Sequence, residues 1–138
     1  MAAAGRPLKV LHVDDDPMNL RVVQEILGAF GHTPIPASSG QEALELFATE
    51  RFDVILLDIH MPEMSGIDLL ERLRTAPGPA RDTPVIALTA DVLTRRPQEY
   101  VALGFNDFVA KPILVSGLIA ALKRAAESPG PIALSRAS

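Results

Sequence analysis

The 138-residue chain has 48% hydrophobic and 22% charged residues and a formal net charge of -4, the make-up of one globular domain rather than of a disordered or strongly basic nucleic-acid-binding chain. It has no cysteine, which excludes disulfides and thiol chemistry, and no segment reaches the roughly 18 consecutive apolar residues of a membrane span. The N-terminal MAAAGRPLK lacks the apolar stretch of a secretory signal, so a cytoplasmic location is expected.

In chain order, LKVLHV at 8–13 predicts a first strand, followed at once by Asp14, Asp15 and Asp16. Asp16 before Pro17 reads as a helix N-cap, because the carboxylate can accept first-turn amides and proline at the first helical position forfeits no hydrogen bond. The helix spans PMNLRVVQEILGAFG, with Gly31 suited to end it. His12, in mid-strand, reads as an ordinary strand histidine rather than a ligand. TPIPA at 33–37 is a short extended piece whose prolines, Pro34 and Pro36, direct both missing amides the same way. That is tolerable only toward an open sheet edge.

SSGQEALELFATE opens with a capping box, Ser39 with Glu42. DVILLD at 53–58 is the strongest strand, apolar without alternation, as a strand covered on both faces should be. Beyond the loop IHMPEMSG, IDLLERLR carries leucines at helical spacing. VIALT at 85–89, a helical stretch to Gly104, FNDFVA at 105–110 and ILVSGLIAALKRAAE at 113–127 complete five strand–helix repeats. Residues 1–7 are expected to be an N-terminal extension, 8–127 the domain and 128–138 a flexible, frayed tail.

Five such repeats define an α/β fold, doubly wound and flavodoxin-like, with a five-stranded parallel sheet. Right-handed crossovers and a second strand at the edge give the order 2-1-3-4-5. Strands one and three are then neighbours, and a crevice opens beyond their C-terminal ends. Asp14, Asp15 and Asp16 leave strand one there, Asp58 leaves strand three, Thr89 leaves strand four and Lys111 leaves strand five. Gathered carboxylates raise one another's pKa unless a cation sits among them, and a hard divalent ion such as Mg2+ takes such oxygen ligands. Lysine and a hydroxyl are natural donors for phosphoryl oxygens, so the chemistry indicated is phosphoryl transfer, with a carboxylate as the nucleophile.

VDDDP, VILLDIHMPEMSGIDLL, VIALTA and FVAKPI resemble, in order and spacing, the receiver domain of two-component response regulators, over about residues 8–127. The resemblance implies that Asp58 accepts a phosphoryl group from a phosphohistidine of a histidine kinase or phosphotransfer protein. It implies that Asp14 and Asp15 organise Mg2+, with Asp15, Asp58 and the His60 backbone carbonyl as direct ligands. Thr89 matches the switch hydroxyl, Phe108 the switch aromatic and Lys111 the phosphoryl-pairing lysine, joined to Pro112 by a cis bond. His60 and Asp91 match positions that tune dephosphorylation. The face made by helix four, strand five and helix five is where protein targets dock in this family.

Pro97 falls where a receiver's fourth helix would already be under way. That helix is therefore expected to start near Arg96 or Pro97, leaving DVLTR as a loop. Arg95 and Arg96 read as a solvated patch, and Phe108 also suits plain core packing. No independent enzymatic activity, nucleic-acid contact or membrane insertion is expected. The segments fit a stand-alone regulator and a hybrid-kinase receiver alike, with the signal leaving by protein contact. Two alternatives use the same residues: a haloacid-dehalogenase-type phosphatase with Asp14 as nucleophile, and a receiver fold serving as an unphosphorylated binding module.

Overall fold

Pro34 and Pro36 lie on the rim of a five-stranded parallel sheet. The computed structural model describes residues 7–75, 82–90 and 97–127. Its strands β1 (Lys9–Val13), β2 (Thr33–Ala37), β3 (Val54–Asp58), β4 (Val85–Thr89) and β5 (Asp107–Ala110) are ordered β2-β1-β3-β4-β5. The edge position of β2 follows from its prolines: it pairs only with β1, the Thr33 amide donating to the Leu8 carbonyl at 2.8 Å. The helices are α1 (Pro17–Ala29), α2 (Gly40–Thr49), α3 (Gly66–Thr75), α4 (Pro97–Leu103) and α5 (Val115–Glu127).

Side chains alternate across each strand, and both faces are apolar, so the sheet separates two cores. On one face Leu11, Val13, Ile55, Leu57, Val85 and Ala87 pack against Phe47 of α2, Leu69, Leu70 and Leu73 of α3 and Tyr100 of α4. On the other, Val10, Leu56, Ile86, Leu88 and Val109 meet Val23 and Leu27 of α1 and Leu118, Ala121 and Leu122 of α5. His12 is buried on this second face; neither ring nitrogen has a hydrogen-bond partner among the described residues.

Local chemistry sets the helix ends. Asp16 caps α1, its Oδ1 accepting the Met18 amide at 2.9 Å with Pro17 in the first turn. Past Ala29, Gly31 adopts φ 84°, and the Gly31 and His32 amides donate to the Gly28 and Leu27 carbonyls at 3.1 and 2.9 Å. This is a Schellman ending, and it stops the helix two residues before the end of the predicted span. Ser39 caps α2 through the Glu42 amide at 3.1 Å, but Glu42 Oε1 reaches back to the amide and hydroxyl of Ser38 rather than to Ser39.

Strand β5 begins at Asp107, later than the apolar run suggested. Phe105 is buried in the first core, and Asn106 Oδ1 accepts the Val85 amide at 2.8 Å. Both residues therefore belong to the turn into the strand. The described part of α4 runs Pro97–Leu103; the expected late start of this helix and the expected DVLTR loop fall on residues 91–96, which lie outside the described residues, as do residues 1–6 and 128–138. Among the described residues no helix is long and apolar enough to cross a membrane.

Candidate functional site

Four strand ends converge where the order turns from β1 to β3. The Asp14 amide donates to the Ala37 carbonyl at 3.0 Å, which carries the β1 ladder one residue further and fixes Asp14 at its tip. Its carboxylate is fully buried, and Oδ1 accepts the Asp16 amide at 2.9 Å. Asp58 ends β3, held by the Ile59 amide on the Leu88 carbonyl at 3.0 Å. Carboxylate oxygens of Asp14, Asp15 and Asp58 lie within 4.8 Å of one another, Asp15 being exposed and the other two buried. Lys111, positioned by its amide on the Thr89 carbonyl at 2.8 Å, brings Nζ to 3.1 Å from Asp58 Oδ1 and 3.4 Å from Asp14 Oδ2. The Lys111–Pro112 bond is cis, as the resemblance implied.

Asp14 and Asp58 thus share one ammonium, with the Asp15 carboxylate beside them. Burial and then the Asp14 charge push the Asp58 carboxyl above the usual carboxylate range, against the opposing pull of Lys111 and the His60 amide, 3.3 Å from Oδ1. Asp14 moves the other way. Burial alone would raise it, but His12 with Nε2 3.7 Å from Oδ2, the Asp16 amide and Lys111 together hold it below the ordinary value. Burial would depress the Lys111 ammonium, and the two aspartates outweigh that and raise it.

The arrangement suits a hard divalent cation. The donor set is all oxygen, the negative charge exceeds the positive, and buried Asp14 Oδ2 accepts no hydrogen bond from the described residues. Asp16 is outside the group, spent on capping α1. The DDDP run therefore splits as expected between the carboxylate cluster and the helix start.

Thr89 ends β4 and is fully buried, with Oγ1 accepting a hydrogen bond from the Tyr100 hydroxyl at 3.3 Å. Phe108 is half-buried against the first core and stacks on Tyr100, ring centroids 5.5 Å apart. The His60 side chain is exposed, and Asp91 lies outside the described residues. Two residues at the site escaped sequence reasoning. Gly66 approaches β3 so closely that a Cβ there would run into the Asp58 carbonyl and sit 2.9 Å from Ile59 Cα. The signal was the glycine of MSG at a helix start. Tyr100 had no local signal at all.

The comparisons with known proteins do not favour the phosphatase alternative. A family model for the response regulator receiver domain matches residues 10–123, and the chain belongs to that family. Among curated proteins it is 39% identical over 118 residues to the aerobic respiration control sensor protein ArcB of Escherichia coli, covering 85% of this chain and 15% of that one. It is 34% identical over 118 residues to the sensory/regulatory protein RpfC of Xanthomonas campestris, covering 85% of this chain and 16% of that one. The chain therefore spans only a small part of these relatives' length.

Among solved structures it is similar to the receiver domain of a sensor histidine kinase from Pseudomonas aeruginosa PAO1, which has magnesium coordinated in its active-site cleft: TM-score 0.79, 30% identity, 89% of this chain and 100% of that one. It is also similar to the chemotaxis response regulator CheY4 of Vibrio cholerae: TM-score 0.78, 32% identity, 86% and 98%. The protein is a receiver domain of two-component signalling, with the doubly wound order expected of it.

Proposed function

We propose that Asp58 accepts a phosphoryl group from a phosphohistidine of a histidine kinase or phosphotransfer protein. The observation that carries this is the Asp58 carboxylate at a crevice with the Lys111 ammonium 3.1 Å away and two further carboxylates beside it. A carboxylate oxygen of Asp58 attacks phosphorus; an O–P bond forms, the P–N bond breaks, and the imidazole departs with the electron pair. Lys111, released from Asp58 as charge builds on the phosphoryl oxygens, pairs with them instead. Asp15, Asp58 and the His60 carbonyl, with Asp14 beside them, would hold Mg2+, which when bound supplies charge neutralisation for the transferring group.

The acyl phosphate adds about -1.5 to -2 of charge at the crevice. Thr89, at the next strand end, turns its hydroxyl toward it, and Phe108 follows inward, altering the face formed by α4, β5 and α5. Val101, Leu103, Leu114 and Val115 are exposed apolar residues on or beside that face and suit a protein target. His60 and Asp91 modulate the hydrolysis that resets the domain. Incubation with acetyl phosphate and Mg2+, followed by intact mass, is expected to give a gain of about 80 Da that Asp58→Asn abolishes. No gain in the parent, or turnover of phosphate esters that survives Asp58→Asn, would overturn the reading; the former would favour an unphosphorylated binding module.

A further inference from the structure

Tyr100 touches both residues of the proposed switch. Its side chain is 1% exposed, its hydroxyl donates to Thr89 Oγ1 at 3.3 Å, and its ring stacks on Phe108 at 5.5 Å between centroids and 17° between planes. Phe105 meets the same ring edge-on at 6.1 Å and 72°. Tyr100 belongs to α4, so a single side chain ties the β4 hydroxyl, the β5 aromatic and the fourth helix into one packed unit.

Resting on the reading of Thr89 and Phe108 given above, we propose that Tyr100 is a lock on the switch that favours the unphosphorylated arrangement. For Thr89 to turn its hydroxyl toward a phosphoryl group on Asp58, the buried Tyr100–Thr89 hydrogen bond must break, at the cost of its net contribution. For Phe108 to move inward, the ring stacked on it must shift too. That ring is the buried anchor of α4 among Phe105 and Leu70, so the helix moves with it. A close-packed group of this kind has discrete arrangements rather than a continuum, and a ligand shifts it only by binding one arrangement better. Tyr100 is thus a positioning residue acting through Thr89.

The chain supplies its own reporter, since Tyr100 is the one tyrosine and there is no tryptophan. In the full chain, acetyl phosphate with Mg2+ is expected to change tyrosine emission in step with the mass gain, and Asp58→Asn should lose both. Tyr100→Phe keeps the ring and removes the hydroxyl. It is expected to tighten the Kd for beryllofluoride with Mg2+, a non-transferable phosphoryl mimic, by about two- to tenfold, the worth of one net hydrogen bond. In a Thr89→Val background the same substitution should leave that Kd unchanged, which a merely structural role would not predict. Normal phosphorylation with unchanged tyrosine emission, or an equal Tyr100→Phe effect with and without Thr89, would overturn the lock and leave the phosphoacceptor reading standing. Absence of any mass gain in the parent would overturn both.

Discussion

The Asp58 carboxyl is pulled in two directions, and burial together with Asp14 wins over Lys111 and the His60 amide. An acid whose folded pKa lies above its unfolded value holds its proton more tightly in the fold. Stability therefore falls as pH rises from the ordinary value of 3.8 through the raised one, and stays at the lower level above it. Asp58→Asn removes that cost. With divalent ions chelated, the variant is expected to unfold at higher temperature than the parent at neutral pH, and the gap should close as pH falls toward the ordinary carboxylate range. Thermal unfolding followed between about pH 4 and pH 8 checks this, and a variant less stable than the parent at neutral pH would mean that the Lys111 attraction dominates. The carboxylates and the lysine were legible because each is the last residue of an apolar run or sits just past it, and the strand order then brings them together. Tyr100 was not. Its partner Thr89 precedes it by a strand-to-helix connection, and no local pattern says which way a helical aromatic points across that distance.

At the level of elements, composition predicted strands and caps well, and it predicted long-range polar ties poorly. The proline pair identified the edge strand and Asp16 the start of α1, both through one residue's backbone chemistry. The join between α3 and the strands is of another kind. Arg74, in the last turn of α3, donates to the Thr83 carbonyl at 2.6 Å, the Gly104 carbonyl at 3.2 Å and Asn106 Oδ1 at 3.0 Å, while Asn106 also takes the Val85 amide. Burial presses the guanidinium pKa down to about 10, against the charge of Asp82. From the sequence, Asn106 falls within the predicted strand FNDFVA and Arg74 has no assigned role, because a fork joining three segments is visible only once they are adjacent. Arg74→Lys keeps the charge but loses the planar fork, and is expected to cost about 2–3 kcal/mol, since hydrogen bonds to charged groups contribute roughly 1.5–3 kcal/mol each. A lower urea midpoint at unchanged slope would register it. A midpoint within error of the parent would show that the fork contributes little.

Across the whole molecule, the site is a product of topology more than of any segment. Two apolar cores cover the central strands β3 and β4 and most of β1, so charged groups are tolerated chiefly at the rims of the sheet, and the reversal of strand order between β1 and β3 opens the C-terminal rim into a crevice. That crevice concentrates Asp14, Asp15 and Asp58 against a single Lys111, leaving an excess of negative charge that only assembly of the fold creates. In the unfolded chain Asp58 is far along the sequence from the acidic pair, and the repulsion is relieved. A cation that binds the assembled group and not the open chain must then stabilise the fold by mass action, by about 2.7 kcal/mol at a hundredfold excess over its Kd. Mg2+ is accordingly expected to raise the Tm by several degrees, with chelation restoring the original value. NaCl at matched ionic strength should not reproduce the shift, because screening weakens exposed charges and leaves buried ones nearly untouched. Asp15→Asn should largely abolish it, since Asp15 is the exposed member of the group and a proposed ligand, so its loss should weaken cation binding with little effect on the fold. A Tm that responds equally to Mg2+ and to matched NaCl would mean that the crevice relieves its charge through Lys111 and solvent alone.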